Sequence, residues 1–165
     1  MPTWTATCAA CCASSKAEPR TIGEAMTGYI EADTDAAAAI MERGSEGPVV
    51  LLNLLRFREM ADYSHAPQHA PDQPISGAQA YQAYMQATRP MIERAGAKLS
   101  FIGQPMETLI GPQDEKWDLM LLVEYPSIEA FFTHTQSADT RDTIHHRQAA
   151  LADSRLIPVV PGRPG

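Results

Sequence analysis

Three features of the sequence predict an α+β fold in which an antiparallel sheet carries helices on one face. Two nearly continuous apolar runs of strand length, Val49–Phe57 and Trp117–Tyr125, are bounded by turn residues and read as central strands. Behind Ser76 and Ser127, apolar residues recur three or four positions apart, the pattern of capped amphipathic helices. The resulting order, strand–helix–strand–strand–helix–strand, is the split βαβ arrangement called ferredoxin-like.

Residues 1–25 are rich in Ala, Ser, Thr and Cys and follow neither period, so they read as a disordered extension, with Met26 as an alternative start. All 3 cysteines (Cys8, Cys11 and Cys12) fall there, and Cys8-Ala-Ala-Cys11 lacks the second pair that a metal site of this spacing needs. No Lys or Arg precedes the stretch, as it would in a secretory signal. The odd count and a cysteine-free remainder point to a reducing, cytoplasmic setting. Residues 26–160 then form a single domain and residues 161–165 a tail.

Asp33 caps a short helix over Ala32–Arg43, the Ala36–Ala39 run favours it, and Gly44 ends it. After a Gly47-Pro48 turn, alternation along the first strand puts Leu51, Asn53, Leu55 and Phe57 on one face, and Val50, Leu52, Leu54 and Arg56 on the other. Arg58–Ile75 is a polar loop whose prolines keep His65 and His69 from forming a helical metal pair; it reads as a lid over a pocket mouth. Ser76 caps a helix through Ala95, with Pro90 expected to kink or split it near Arg89. Lys98–Gly103 and Glu107–Ile110 read as one bent strand interrupted by Gln104-Pro105, and Gly111–Asp114 turns the chain into Trp117–Tyr125. Ser127 caps a helix over Ile128–Thr135, which resumes after Ser137 from Thr140 to Ala152, and Leu156–Val160 is the last strand.

Hydrophobic residues make up 44% of the chain and charged residues 20%, as in ordinary globular domains. The net charge of −7, from 13 Lys+Arg against 20 Asp+Glu, excludes the basic stripe of a nucleic-acid binder and disfavours an anionic membrane surface. No apolar run reaches the roughly 18 residues of a membrane-spanning helix. Two helices cover only one face of such a sheet, and the other face of both central strands is too apolar for water. A homodimer packed sheet on sheet, through an isologous interface, is the expected partner arrangement.

The segments Val49–Arg58, Gly77–Pro90 and Gly96–Gly103, Trp117-Asp118 with its strand to Tyr125-Pro126-Ser127, and His146-Arg147 resemble the DUF1330 family of domains of unknown function. The resemblance spans residues 28–158 and rests on an Asn in the first strand, Tyr-x-x-Tyr in the first helix, and the Tyr-Pro-Ser-x-Glu-Ala entry to the second. It implies the dimeric α/β-barrel superfamily, whose members include cofactor-free monooxygenases, isomerases and cyclases of small aromatic molecules, and haem-degrading enzymes. One fold hosts many functions, so this implication is one of analogy.

Asn53 is the most informative residue, since a carboxamide inside an apolar strand needs a partner or costs about 1–3 kcal/mol. It either satisfies a structural neighbour or polarises a ligand carbonyl. Arg56 either pairs with a carboxylate such as Asp118 or Glu124, or binds a ligand anion. Tyr81 shares the apolar helix face with Met85, while Tyr84 and Arg89 line a pocket entrance or a dimer rim. Trp117 caps the core or stacks on an aromatic ligand. His134, one turn beyond Phe131-Phe132, is a surface histidine or a base for a carbon acid or phenol. His145 and His146 project about 100° apart on a helix and cannot share a metal. In haem-degrading relatives an Asn, a Trp and a His come from the corresponding elements, a trio that Asn53, Trp117 and one of His145 and His146 would imitate. The expected protein is therefore an enzyme without a tightly held cofactor, acting on an aromatic or carbonyl-bearing metabolite. Asn53, His134 and His146 would be catalytic, and Arg56, Tyr81, Tyr84, Arg89 and Trp117 would contact substrate. The alternatives are a non-catalytic ligand-binding dimer and a haem-binding relative. No metal site is expected.

Overall fold

The computed structural model describes residues 28–44 and 47–162. The readings made for residues 1–25 and for the end of the tail lie outside them. A first helix, α1 (Thr34–Arg43), is capped by Asp33, whose carboxylate accepts from the Ala36 N–H at 2.8 Å, and Gly44 closes it at φ 59°. There follow β1 (Val49–Phe57), α2 (Gly77–Arg94), β2 (Lys98–Gly103), β3 (Leu119–Tyr125), α3 (Ile128–Thr135), α4 (Ala138–Arg141), α5 (Ile144–Ala150) and β4 (Leu151–Val159). The strands lie in the order β2-β3-β1-β4 with every neighbouring pair antiparallel, which is the ferredoxin-like sheet.

Burial follows the period of two. Val49, Leu51 and Leu55 are 1%, 1% and 0% exposed, whereas Val50, Leu52 and Leu54 remain half-exposed. The buried face meets the helices in two clusters. Around Leu55 and Leu121 pack Ala80 and Tyr81 of α2 with Ala149 of α5. Around Val49, Leu51 and Tyr125 packs Ile128 of α3, with Ile92 and Phe132 against its margin. Central strands that read as apolar throughout are thus covered by this chain on one side only.

Several boundaries differ from expectation, each for a local reason. Helix α2 runs unbroken through Pro90: both Pro90 and Gln86, whose carbonyl loses its i+4 donor, lie on the exposed side. A capping box, with Ser76 and Gln79 each serving the other's backbone N–H, starts that helix. β2 stops at Gly103 without its predicted second limb: β3 starts only at Leu119 and gives that limb nothing to pair with. Met106, Leu109 and Ile110 there are 88%, 95% and 94% exposed. The terminal helix ends at Ala150 instead of Ala152, and β4 begins at once, because Asp153 is drawn across to β1. Its carboxylate takes Arg56 Nη2 at 3.0 Å and Arg155 Nη1 at 2.7 Å.

Helix α2 enters the structure through Gly77, where a Cβ would collide with the carbonyl oxygens of Arg58 and Ala150. The start of α2, the end of β1 and the end of α5 meet at this point, and only hydrogen fits. Gly77→Ala is expected to lower stability by about 1–3 kcal/mol, read as a reduced midpoint in urea unfolding; an unchanged midpoint contradicts the close approach.

Candidate functional site

Between the covered sheet face and helices α1, α2, α3 and α5 lies a cavity of about 1210 Å³. Asn53 reaches it from the middle of β1, between Leu51 of one core cluster and Leu55 of the other. The carboxamide interrupts the apolar surface where the two clusters would otherwise meet. Its Nδ2 donates to the Leu51 carbonyl at 3.1 Å, and among the described residues no donor reaches its Oδ1.

Tyr81 and Tyr84 line the same cavity from α2, their ring centroids 5.5 Å apart, and Tyr125 lines it from β3. None of these three hydroxyls has a hydrogen-bond partner among the described residues. Burial pushes all three phenols well above their ordinary value, so each keeps its proton and remains a donor. His134, on α3, is 8% exposed with its ring centroid 6.0 Å from that of Tyr125, and its imidazole likewise has no protein partner among the described residues. Burial, with the Arg94 charge adding to it, holds the imidazole below its usual value and neutral at pH 7. Arg89 sits at the mouth, exposed and paired with Glu93 at 3.1 Å.

Arg56, Trp117 and His146 lie elsewhere. Arg56 projects from the uncovered face and pairs with Asp153, not with Asp118 or Glu124. The Trp117 ring stacks against Arg155 and Arg56, 5.0 and 5.9 Å from its centroid. Asn53, Trp117 and His146 therefore do not meet at one cavity, and the trio of haem-degrading relatives is not assembled. His146 lies under the Arg58–Ile75 loop, its Nδ1 2.8 Å from the Tyr63 hydroxyl. That loop lines none of the cavity, and its role as a lid is not borne out: backbone bonds such as Asp62 N–H to the Ala149 carbonyl (2.9 Å) tie it beside α5.

Reading the sequence did not assign Tyr125 or Arg147 to the site. Tyr125 shares the parity of Leu121 and Val123, which places it on the covered face. Arg147 follows Ile144 by three helical positions, the spacing of one face.

The sequence profile of DUF1330, a domain of unknown function, matches residues 73–160. A protein of unknown function from Rhodopseudomonas palustris, known from a crystal structure, is 40% identical over 84% of this chain and 100% of that one, with a TM-score of 0.74. The methylated form of that protein is 41% identical over 85% of this chain and 99% of that one, with a TM-score of 0.76. No curated protein matches the chain.

Beside the loop, His145 is buried against His69, their rings stacked at 3.6 Å, with His146 at 4.2 Å. Burial, then the charges of His146, His69 and His65, lower the His145 pKa to about 4 against the opposing pull of Asp142. The unfolded chain binds a proton there near pH 6.5 and the folded chain does not, so stability is present at neutral pH and falls as pH drops from about 6.5 toward 4. Urea unfolding at about pH 7.5 and pH 5 is expected to show that loss, and His145→Asn to flatten it. An equal slope in wild type and variant contradicts the assignment.

Proposed function

The chain belongs to the DUF1330 family, and from its cavity we propose an enzyme that moves a proton on a small carbonyl-bearing metabolite without a tightly held cofactor. The observation that carries this reading is convergence. The Asn53 Oδ1, the hydroxyls of Tyr81 and Tyr84, and the His134 imidazole belong to one cavity and have no protein partner among the described residues. These polar atoms are open to the cavity and not sealed inside the protein, and several of them around one largely apolar space suit a ligand that pairs with them.

Each group has a chemical use in its observed state. A neutral imidazole is a base, and His134 would take a proton from carbon adjacent to a carbonyl. The electron pair of the broken C–H bond moves onto the carbonyl oxygen, giving an enolate. The protonated Tyr125 phenol, beside His134, donates to that oxygen more strongly as its charge develops, which favours the transition state over the ground state. Return of a proton from His134 to the same carbon exchanges its hydrogen, and where the enolate is conjugated with a C=C, return at the far end of the conjugated system gives an isomer, with no oxidant consumed. The apolar walls at Leu51, Leu121 and Val123 supply the rest of the contact.

The same reading includes a second copy of the chain on the uncovered sheet face. Val50, Leu52, Leu54 and Leu122 are half-exposed there, and Phe101, Ile157 and Val159 are 50%, 46% and 43% exposed. An apolar face that crosses all strands of a sheet asks for a second layer. Among the described residues, no helix is long and apolar enough to cross a membrane.

With phenylacetone as probe, incorporation of deuterium from D₂O is expected to be accelerated, and His134→Gln to slow it by about 10²–10⁴-fold. Asn53→Ala is expected to bind the probe less well while melting as a cooperative fold; its failure to fold assigns Asn53 a structural role instead. By sedimentation the wild type should be a dimer at micromolar concentration and Leu52→Glu a monomer. A monomeric wild type contradicts the second copy.

A further inference from the structure

Arg147, on α5, lines the cavity as a cation that no carboxylate answers. Its Nη1 donates to the Ile30 carbonyl at 2.6 Å and its Nη2 to Ser154 Oγ at 3.2 Å, both neutral acceptors. Among the described residues, no Asp or Glu lies within ion-pair distance of it. The other cavity arginines are placed differently: Arg89 pairs with Glu93, Arg155 pairs with Asp153, and Arg141 is exposed. Glu31, on the same wall, accepts instead from Gln148 Nε2 at 3.2 Å.

A guanidinium presents five N–H donors in a rigid fork, and the two bonds to Ile30 and Ser154 leave the others unused. Its charge partly offsets the upward push that burial exerts on Tyr81 and Tyr84, so it stands within electrostatic reach of both phenols. A half-buried cation and two phenolic O–H donors, all without anionic partners and all facing one cavity, match the needs of a carboxylate: bidentate contact with the fork and further donors for the remaining lone pairs. The wall from Met85 and Ile92 to Phe132 is apolar and suits the uncharged remainder of such a ligand.

We propose that Arg147, with the Tyr81 and Tyr84 hydroxyls, seats the carboxylate of the substrate, which is therefore a small oxo acid with an apolar remainder. This rests on the reading of the cavity as a carbonyl-binding site and names the substrate class within it. The carboxylate anchors one end of the molecule, and the carbonyl lies toward the Asn53 Nδ2, whose second hydrogen is the donor it accepts from.

Phenylpyruvate and phenylacetone test the seat, because they share a ring and a ketone and differ by carboxylate against methyl. In calorimetric titrations at low ionic strength, wild-type protein is expected to bind phenylpyruvate about tenfold more tightly than phenylacetone, the scale of one charge-assisted contact. Arg147→Gln should remove the preference, bringing the affinities for the two probes together. Arg147→Lys, which keeps the charge and loses the fork, should retain part of the preference. Equal affinities in the wild type overturn the anion seat while leaving the carbonyl cavity standing, and that comparison needs no variant to fold. Failure of both probes to bind overturns the seat and the cavity reading together.

Discussion

The carboxylate of Asp153 holds together segments that are far apart in the chain. It is 2% exposed and meets Arg56 on β1, Arg155 on its own strand and the N–H groups of Tyr29 and Ser154. Burial alone would push this carboxyl up; Arg155 and the backbone donors outweigh it and leave it ionised below the usual carboxylate range. A buried charge is tolerated only when its lone pairs are taken, so the partners are as constrained as the carboxylate. This network brings residues 28–30 against β4, begins that strand directly after α5, and lines up Ser154 and the Ile30 carbonyl. Those two acceptors then position Arg147. The cavity wall opposite α2 thus depends on an ion cluster whose Arg155 lines that wall.

The sheet itself is used asymmetrically. One face, with Leu51 and Leu55, closes two hydrophobic clusters against the helices, and Asn53 stands between them. A leucine at that position would add apolar contact, whereas the carboxamide keeps one hydrogen-bonding group inside the space. Phenols that burial keeps protonated and an imidazole that burial keeps neutral line the same space. Burial moves both kinds of group toward the uncharged state, which leaves phenols as donors and histidine as a base at the same pH. The opposite face carries the charges of Arg56 and Asp153 at one end of β1 and β4, and its half-exposed leucines and valines form the surface on which the proposed second copy would pack.

Periodicity made much of this legible. Alternation along Val49–Phe57 separates Asn53 from Arg56 correctly, because a period of two needs no tertiary information. Asp33, Ser76 and Ser127 mark the helix starts through side-chain-to-backbone bonds within three residues. The unread parts are long-range. Asp153 lies 97 positions from Arg56, and Ala149-Ala150-Leu151-Ala152 has the local propensity of a helix, so its switch into β4 cannot be seen from neighbours alone. Trp117 and His146 looked like companions of Asn53 by residue type. Only the register of β1 with β4, and the attachment of the loop to α5, show that they belong to separate clusters.

Asn53, Tyr81, Tyr84 and His134 are proposed to form one ligand-facing site, and side-chain NMR tests this directly. With the Asn53 carboxamide, the tyrosine rings and the His134 imidazole labelled, saturation with phenylacetone is expected to shift these resonances together along a single binding curve. Shifts confined to the His69–His145 cluster or to the uncovered sheet face, with the Asn53 carboxamide unmoved, would contradict the account.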